Sequence, residues 1–149
     1  MYERILVSSD GSATAQAGVD HGLELARKHG SKVTAVTVTE PLGGQFAFAF
    51  DLWSPSEAEI EAFDTSQALI AQRILGPIRE KAEALGVPIE TIHVPRRLVA
   101  GALLEIAEKK GCTLIVMSSH GHTGLSRVML GSQAAEVAEN AKVPVLIVR

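Results

Sequence analysis

The sequence lacks several features that assign a chain to common functional classes. Its one cysteine, Cys112, has no partner for a disulfide within the chain, which is typical of a reducing cytoplasm. The apolar run Ile5–Val7 near the N-terminus is far shorter than the core of a signal peptide, and no run approaches the roughly 20 apolar residues of a membrane span. Lys and Arg total 14 against 17 Asp and Glu, a net charge of −3, so no overall positive field attracts nucleic acid or anionic lipid. We expect a cytoplasmic protein that binds neither membranes nor nucleic acids.

The sequence also lacks any linker, internal repeat or low-complexity segment that would divide it. Its 149 residues, 46% of them apolar, are enough for one hydrophobic core. We therefore expect a single domain over residues 1–149.

Short apolar runs alternate with helical segments along the chain. The predicted strands are Arg4–Ser9, Lys32–Glu40, Pro88–Val94, Thr113–Ser118 and Val143–Val148. The predicted helices are Ala13–His29, a segment from a Ser54 N-cap to about Leu85, Val99–Lys110 and Ser132–Ala141. Glu57 completes a capping box with Ser54, and Gly76-Pro77 is expected to kink or divide the second helix. This order predicts an α/β fold with a doubly wound, open parallel sheet of five strands and helices on both faces.

Two polar loops follow predicted strands. In an open parallel sheet, ligands bind outside the carboxyl ends of the strands, where the winding direction reverses. If strands one and four are neighbours, the loops Ser8–Gly11 and Ser118–Gly121 face one crevice. Right-handed crossovers alone do not decide that strand order.

The second loop and the residues after it suggest an anion site. Gly121 and the pair Gly131-Ser132 would let backbone N–H groups close on a phosphate, and Ser132 begins a helix. Arg127 would add positive charge. Asp10 would repel phosphate, but its carboxylate accepts hydrogen bonds from ribose hydroxyls. Two simpler interpretations stay open. The glycines would only turn the chain, and Asp10 would only cap the first helix, for which Ser12 is the other candidate N-cap.

On these residues the chain resembles the universal stress protein family. The family pattern is glycine, two residues, glycine, nine residues, glycine, then serine or threonine. Here it reads Ser118–Gly121, His122–Leu130 and Gly131-Ser132. The opening Ile5–Ser12 and the ending Val143–Val148 match as well, so the resemblance covers almost the whole chain.

The resemblance implies a strand order of 3-2-1-4-5 and an ATP site, with ADP or AMP as alternatives and Mg²⁺ or Mn²⁺ as a companion ion. It implies that Asp10 meets the ribose, that the backbone near Val38 meets adenine, and that Gly121, Gly131 and Ser132 hold the phosphates. The full candidate nucleotide-binding set is Ser8, Ser9, Asp10, Val38, Met117, Ser118, His120, Gly121, Arg127, Gly131, Ser132 and Gln133. The resemblance also suggests a homodimer that pairs through the last strand, Val143–Val148.

The chain departs from the family pattern in three places. Ser118 replaces the first glycine, which is tolerable if that position offers only backbone, and obstructive if its φ must be positive or the ligand lies against its Cα. Thr113 replaces an aspartate common at the start of strand four, and we interpret it as structural. Arg97 and Val99 stand where a glycine and a proline are usual.

Three functions compete on this sequence. The leading hypothesis is a nucleotide-binding regulatory or stress-response protein without efficient catalysis, because Gly131-Ser132 lacks the lysine of a P-loop and no catalytic triad is evident. A slow ATP hydrolase could instead use Asp10 or His120 to orient water. A dimeric interaction module with a vestigial site could use the apolar segment Phe46–Trp53 as its partner surface.

Overall fold

The computed structural model describes residues 1–44, 54–120 and 129–149. Its strands are β1 Arg4–Ser8, β2 Lys32–Thr39, β3 Ile89–Pro95, β4 Leu114–Ser118 and β5 Val145–Val148. Its helices are α1 Ala13–His29, α2 Glu57–Ala84, α3 Val99–Lys110 and α4 Ser132–Asn140. The element types match the sequence prediction, and the boundaries agree to within two residues.

The strands form one parallel sheet of order β3-β2-β1-β4-β5, which confirms the predicted fold and the adjacency of β1 and β4. Ile5 is paired with Val33 of β2 on one side and with Leu114 of β4 on the other. The chain winds from β1 outward to β3, then crosses back to β4, so the winding direction reverses between β1 and β4. The carboxyl ends of these two strands therefore flank a topological switch point.

Alternate residues of β1 supply two separate cores. Ile5 and Val7 pack with Val19 and Leu23 of α1, in a cluster that α2 also joins. Leu6 faces the opposite layer and packs with α3 and α4 in a second cluster. Since both faces of the sheet are covered, each central strand is a continuous apolar run rather than an alternating one.

Helix α1 packs tightly on the sheet because it presents glycines to it. A Cβ at Gly22 would stand 2.3 Å from Cγ1 of Val7, and one at Gly18 would stand 3.2 Å from the backbone N of Ser118. The absence of side chains at these positions brings the first turns of α1 beside the carboxyl end of β4. This approach helps form one wall of the switch point.

Helix α2 differs from prediction at its start, and of the two alternatives expected at Gly76-Pro77, a kink or a division, it excludes the division. Ser56, not Ser54, is the N-cap: its Oγ accepts from Glu59 N at 3.3 Å, and Glu59 Oε2 accepts from Ser56 N at 2.8 Å. The helix also runs undivided through Pro77, because Leu75 and Ile78 on either side are buried in the core.

None of the helices in the described ranges combines the length and apolarity that a membrane crossing requires. Helix α2 is the longest at 28 residues, and it carries charged residues along its length.

Candidate functional site

A cavity of about 350 Å³ opens at the carboxyl ends of β1, β2 and β4. All candidate residues that the structure describes line it: Ser8, Ser9, Asp10, Val38, Met117, Ser118, His120, Gly131, Ser132 and Gln133. Gly121 and Arg127 lie outside the described residues, as does the whole segment Phe46–Trp53. The fold thus gathers residues that are more than 100 positions apart in the chain around one opening.

The turn after β1 places Asp10 at the cavity. Gly11 has a φ of +83°, which allows the chain to turn sharply, and its N–H donates to Ser9 Oγ at 3.1 Å. Asp10 Oδ1 accepts from Ser12 N at 2.9 Å. The helix cap itself is Ser12, whose Oγ accepts from Ala15 N at 3.1 Å. Of the two residues considered for the cap, Ser12 performs it, and Asp10 braces the turn that precedes it.

The loop after β4 is fixed from two sides. The carbonyl oxygen of His120 accepts from Ser118 Oγ at 2.7 Å and from Thr14 Oγ1 at 3.2 Å. The bond from Thr14 joins the first turn of α1 to this loop. Among the described residues Arg96 is the single non-glycine with a positive φ, so Ser118 adopts an ordinary backbone conformation. The serine that replaces the family glycine is therefore accommodated without strain.

Gly131 is required by close backbone contact. Its N–H donates to Ser119 O at 2.9 Å, and a Cβ at Gly131 would stand 2.7 Å from that same oxygen. Its φ of −61° is ordinary, so space rather than backbone conformation demands glycine here. The residue is also the N-cap of α4 and provides no side chain to bond the free amides of the first turn. The positive end of this helix is thereby left beside the cavity, which its first residues line.

The opposite part of the cavity is apolar, with a carboxylate at its edge. Val36 and Val38 of β2 line it together with Met117 and with Leu103 of α3. Glu40, which sequence reasoning missed, lines it as well. The sequence contained a signal for this residue. Val36, Val38 and Glu40 are each two residues apart, so their side chains project from the same face at the end of β2.

A serine and a histidine meet in the cavity wall without forming a catalytic triad. Ser119 Oγ lies 3.0 Å from Nδ1 of His120. The other ring nitrogen, Nε2, is buried and has no hydrogen-bond partner within the described part of the chain. A triad needs a carboxylate on that nitrogen to orient the ring, and no residue in the described ranges places one there.

Two other sequence interpretations concern residues near the cavity. Thr113 bonds the backbone of Arg4, since its Oγ1 accepts from Arg4 N at 3.3 Å, in agreement with a structural role. Val99, which departs from the family pattern, lines the cavity at the start of α3. Across the ranges 1–44, 54–120 and 129–149, no group of three or more His, Cys, Asp or Glu is arranged to hold a metal ion.

Comparison with known proteins identifies relatives over the full length. Universal stress protein MJ0531 of Methanocaldococcus jannaschii is 32% identical over 100% of this chain and 83% of its own. The solved structure of MJ0577 from the same organism has a TM-score of 0.84 at 25% identity, covering 99% of this chain and 96% of that one. A universal stress protein solved in complex with cAMP has a TM-score of 0.68 at 26% identity, covering 99% of this chain and 97% of the other.

A sequence model of the universal stress protein family matches residues 1–149. That match spans both cores and every loop around the cavity. The strand order observed here is the one that the resemblance to this family implied. The chain belongs to the universal stress protein family.

Proposed function

We propose that this protein binds an adenine nucleotide, ATP or its relatives ADP and AMP, and acts as a regulatory or stress-response protein without efficient catalysis. One observation carries the proposal: Asp10 and the uncapped N-terminus of α4 line a single cavity at the switch point between β1 and β4. A carboxylate suits ribose hydroxyls, and free amides at a helix start suit phosphate.

The chemistry of the lining divides the ligand into three parts. The apolar wall of Val36, Val38 and Leu103 suits a planar base. Asp10 takes the ribose, and the phosphates bind against Gly131 and Ser132. The donor there is the N–H of Ser132 at the start of α4, since the Gly131 N–H is already held by Ser119 O. A relative at 26% identity was solved with cAMP, which supports an adenine nucleotide as the ligand class.

The proposal includes Mg²⁺ or Mn²⁺ only as a companion of the phosphates. Mg²⁺ in nucleotide sites commonly takes its ligands from phosphates and water with few protein groups. Asp10 is assigned to the ribose, and Glu40 lies on the base side of the cavity. Neither carboxylate is therefore proposed to hold the metal ion.

The lone Cys112, buried at 4% exposure, supports a cytoplasmic protein. The open edge of β5 supports a homodimer through Val143–Val148, since β5 is at the end of the sheet order and pairs with β4.

The first experiment identifies small molecules released from the denatured purified protein by mass spectrometry, followed by calorimetric titration with ATP and Mg²⁺. Ser132→Glu places a carboxylate where the phosphate is proposed to bind, while an acidic residue in a first turn favours the helix. We expect this variant to remain folded and lose ATP binding. Ala58→Glu, an equal charge change in the first turn of α2 away from the cavity, should bind ATP like the wild type.

Each alternative function has its own outcome in that experiment. Metal-dependent ATP turnover that Asp10→Asn abolishes would favour the slow hydrolase. A wild-type protein that carries no nucleotide and binds none, while remaining dimeric, would refute the proposal and favour the interaction module with a vestigial site.

A further inference from the structure

Helix α3 begins without a cap of its own. Its N-cap residue is Leu98, whose side chain makes no capping hydrogen bond. Ala100, in the first turn, is completely buried, so its backbone N–H needs a partner within the protein. Gln133 of α4 provides it: Oε1 accepts from Ala100 N at 2.9 Å. A side chain from one helix start therefore caps another.

This hydrogen bond fixes which way the Gln133 amide faces. A backbone N–H can only donate, so the atom that meets it is the carbonyl oxygen, and the two donors on Nε2 are turned elsewhere. Within the described part of the chain, no hydrogen bond from Nε2 is formed. Gln133 also lines the cavity, next to Ser132 and the free amides of α4.

We propose that Nε2 of Gln133 donates to a phosphate oxygen of the bound nucleotide while Oε1 holds the start of α3. This inference rests on the proposed function, and it adds a side-chain contact that discriminates phosphorylated ligands from the bare nucleoside. The amide is ordered before ligand binds, because Oε1 is already held. Ordering the donor in advance removes part of the entropic cost of the contact.

The same residue joins two walls of the cavity. Val99 and Leu103 on α3 form part of the apolar side, and Ser132 on α4 belongs to the phosphate side. The Gln133–Ala100 bond links these sides, in addition to the core packing between α3 and α4. Glutamine suits both tasks, since it offers one acceptor and two donors without adding a negative charge next to phosphate.

Gln133→Glu separates the two tasks. A carboxylate can still accept from Ala100 N, so we expect the melting temperature to stay close to that of the wild type. It has no donor and carries a negative charge, so ATP affinity should fall by about tenfold or more. Affinity for adenosine, which lacks phosphate, should change by less than about twofold. Gln133→Met removes the acceptor too and should lower the melting temperature.

Ala135→Glu is the matched charge control. It adds the same charge in the first turn of α4 at a position that does not line the cavity, and it should weaken ATP binding much less than Gln133→Glu. All affinities are measured by calorimetry on the full chain, with adenosine, AMP and ATP as ligands.

The outcomes distinguish this inference from the proposed function. Wild-type protein that binds neither adenosine nor ATP overturns both. If the wild type binds both ligands and Gln133→Glu binds ATP equally well, Gln133 is only a helix cap and the inference alone is wrong. Equal weakening of adenosine and ATP in that variant also overturns it, because the residue would then act through cavity shape. Selective loss of AMP and ATP supports it.

Discussion

His93 is a partly buried histidine outside the cavity, and its surroundings determine how protonation affects the fold. Its Nε2 lies 2.8 Å from Thr39 Oγ1. Burial lowers the pKa of the imidazole below its ordinary value of 6.5, and the nearby Asp64 carboxylate partly opposes that shift. Arg96 draws on the same carboxylate, with its Nε 3.4 Å from Asp64 Oδ2. The folded protein therefore favours the neutral ring.

Because the folded-state pKa of His93 is depressed, the unfolded chain takes up the proton first as pH falls through 6.5. The free energy of unfolding should therefore decrease between about pH 7.5 and 5.5, and His93→Gln should make this decrease smaller. Asp64→Asn removes the opposing charge and should make it larger. Urea unfolding at a series of pH values measures all three proteins. Identical pH dependence in the wild type and His93→Gln would contradict the prediction.

The role of individual residues was predictable where chemistry alone decides it, and unpredictable where a contact across the fold decides it. Asp10 was placed at the cavity from its position after β1. Asp10 and Ser12 are both suitable N-cap residues, and the turn at Gly11 decides between them. A glycine at that position is compatible with either cap, so the sequence did not decide the choice. The capping of Ala100 by Gln133 joins residues 33 positions apart and leaves no local pattern in the sequence.

The packing of α1 on the sheet depends on what the helix lacks. A Cβ at Gly22 would stand 2.3 Å from Cγ1 of Val7, a side chain that is 1% exposed and has no room to move away. We expect Gly22→Ala to lower the free energy of unfolding by about 1–2 kcal/mol, since overpacking outweighs the better helix propensity of alanine. Chemical denaturation gives this value directly.

Two further variants test the cause of that effect. Gly101→Ala in α3 introduces a Cβ that meets nothing within 4 Å, so it should raise stability by up to about 1 kcal/mol. The double variant Val7→Ala, Gly22→Ala should lose less free energy of unfolding than the sum of the two single variants. The shorter side chain at position 7 makes room for the new Cβ at position 22. Simple additivity would show that the Val7 contact is not the cause.

The start of α2 illustrates why element boundaries were harder to predict than element types. Ser54 with Glu57 and Ser56 with Glu59 both fit the capping-box spacing, so the sequence offers two overlapping starts. The second is used. Of the kink or division expected at Gly76-Pro77, the division does not occur, because core packing on both sides of the proline holds one helix together, a tertiary effect that local propensity does not contain.

At the scale of the whole molecule, β5 lies at the end of the sheet formed by the described strands, and hydrogen bonding shows which of its groups face outward. The carbonyls of Pro144 and Val148 accept from Ile115 and Ser119 on the β4 side. Alternate residues of a parallel strand face the same neighbour, so the backbone groups of Ile147 face away from β4. If two β5 edges pair in a dimer, the Ile147 N–H belongs to that contact.

We expect the wild type to elute at twice its chain mass of 15.8 kDa in size-exclusion chromatography with light scattering. Ile147→Pro removes an outward N–H without touching the β4 ladder, and it should yield a monomer. Ile147→Val keeps the N–H and serves as the control. A wild-type monomer, or a dimer that survives the proline, would contradict pairing through this edge.

The strand order was the feature least accessible from the residues themselves. Alternating apolar runs predicted a parallel sheet, and right-handed crossovers limited its topology, but neither says to which side of β1 each crossover goes. The order came from the family resemblance, and the structure confirms it. The cavity followed directly, because once β1 and β4 are neighbours their loops must meet.

The pairing of β1 with β4 also governs how the protein emerges from the ribosome. Arg4 and Thr113, which bond each other beside these strands, are 109 positions apart. Ribosomes add about 5–20 residues per second, so β4, the second neighbour of β1, is synthesised several seconds after β1. During that interval a strand whose Ile5, Leu6 and Val7 are all buried in the finished fold has one unpaired edge, which is the kind of surface that recruits chaperones or aggregates. The nascent chain is thus most vulnerable at the strand that later lies at its centre.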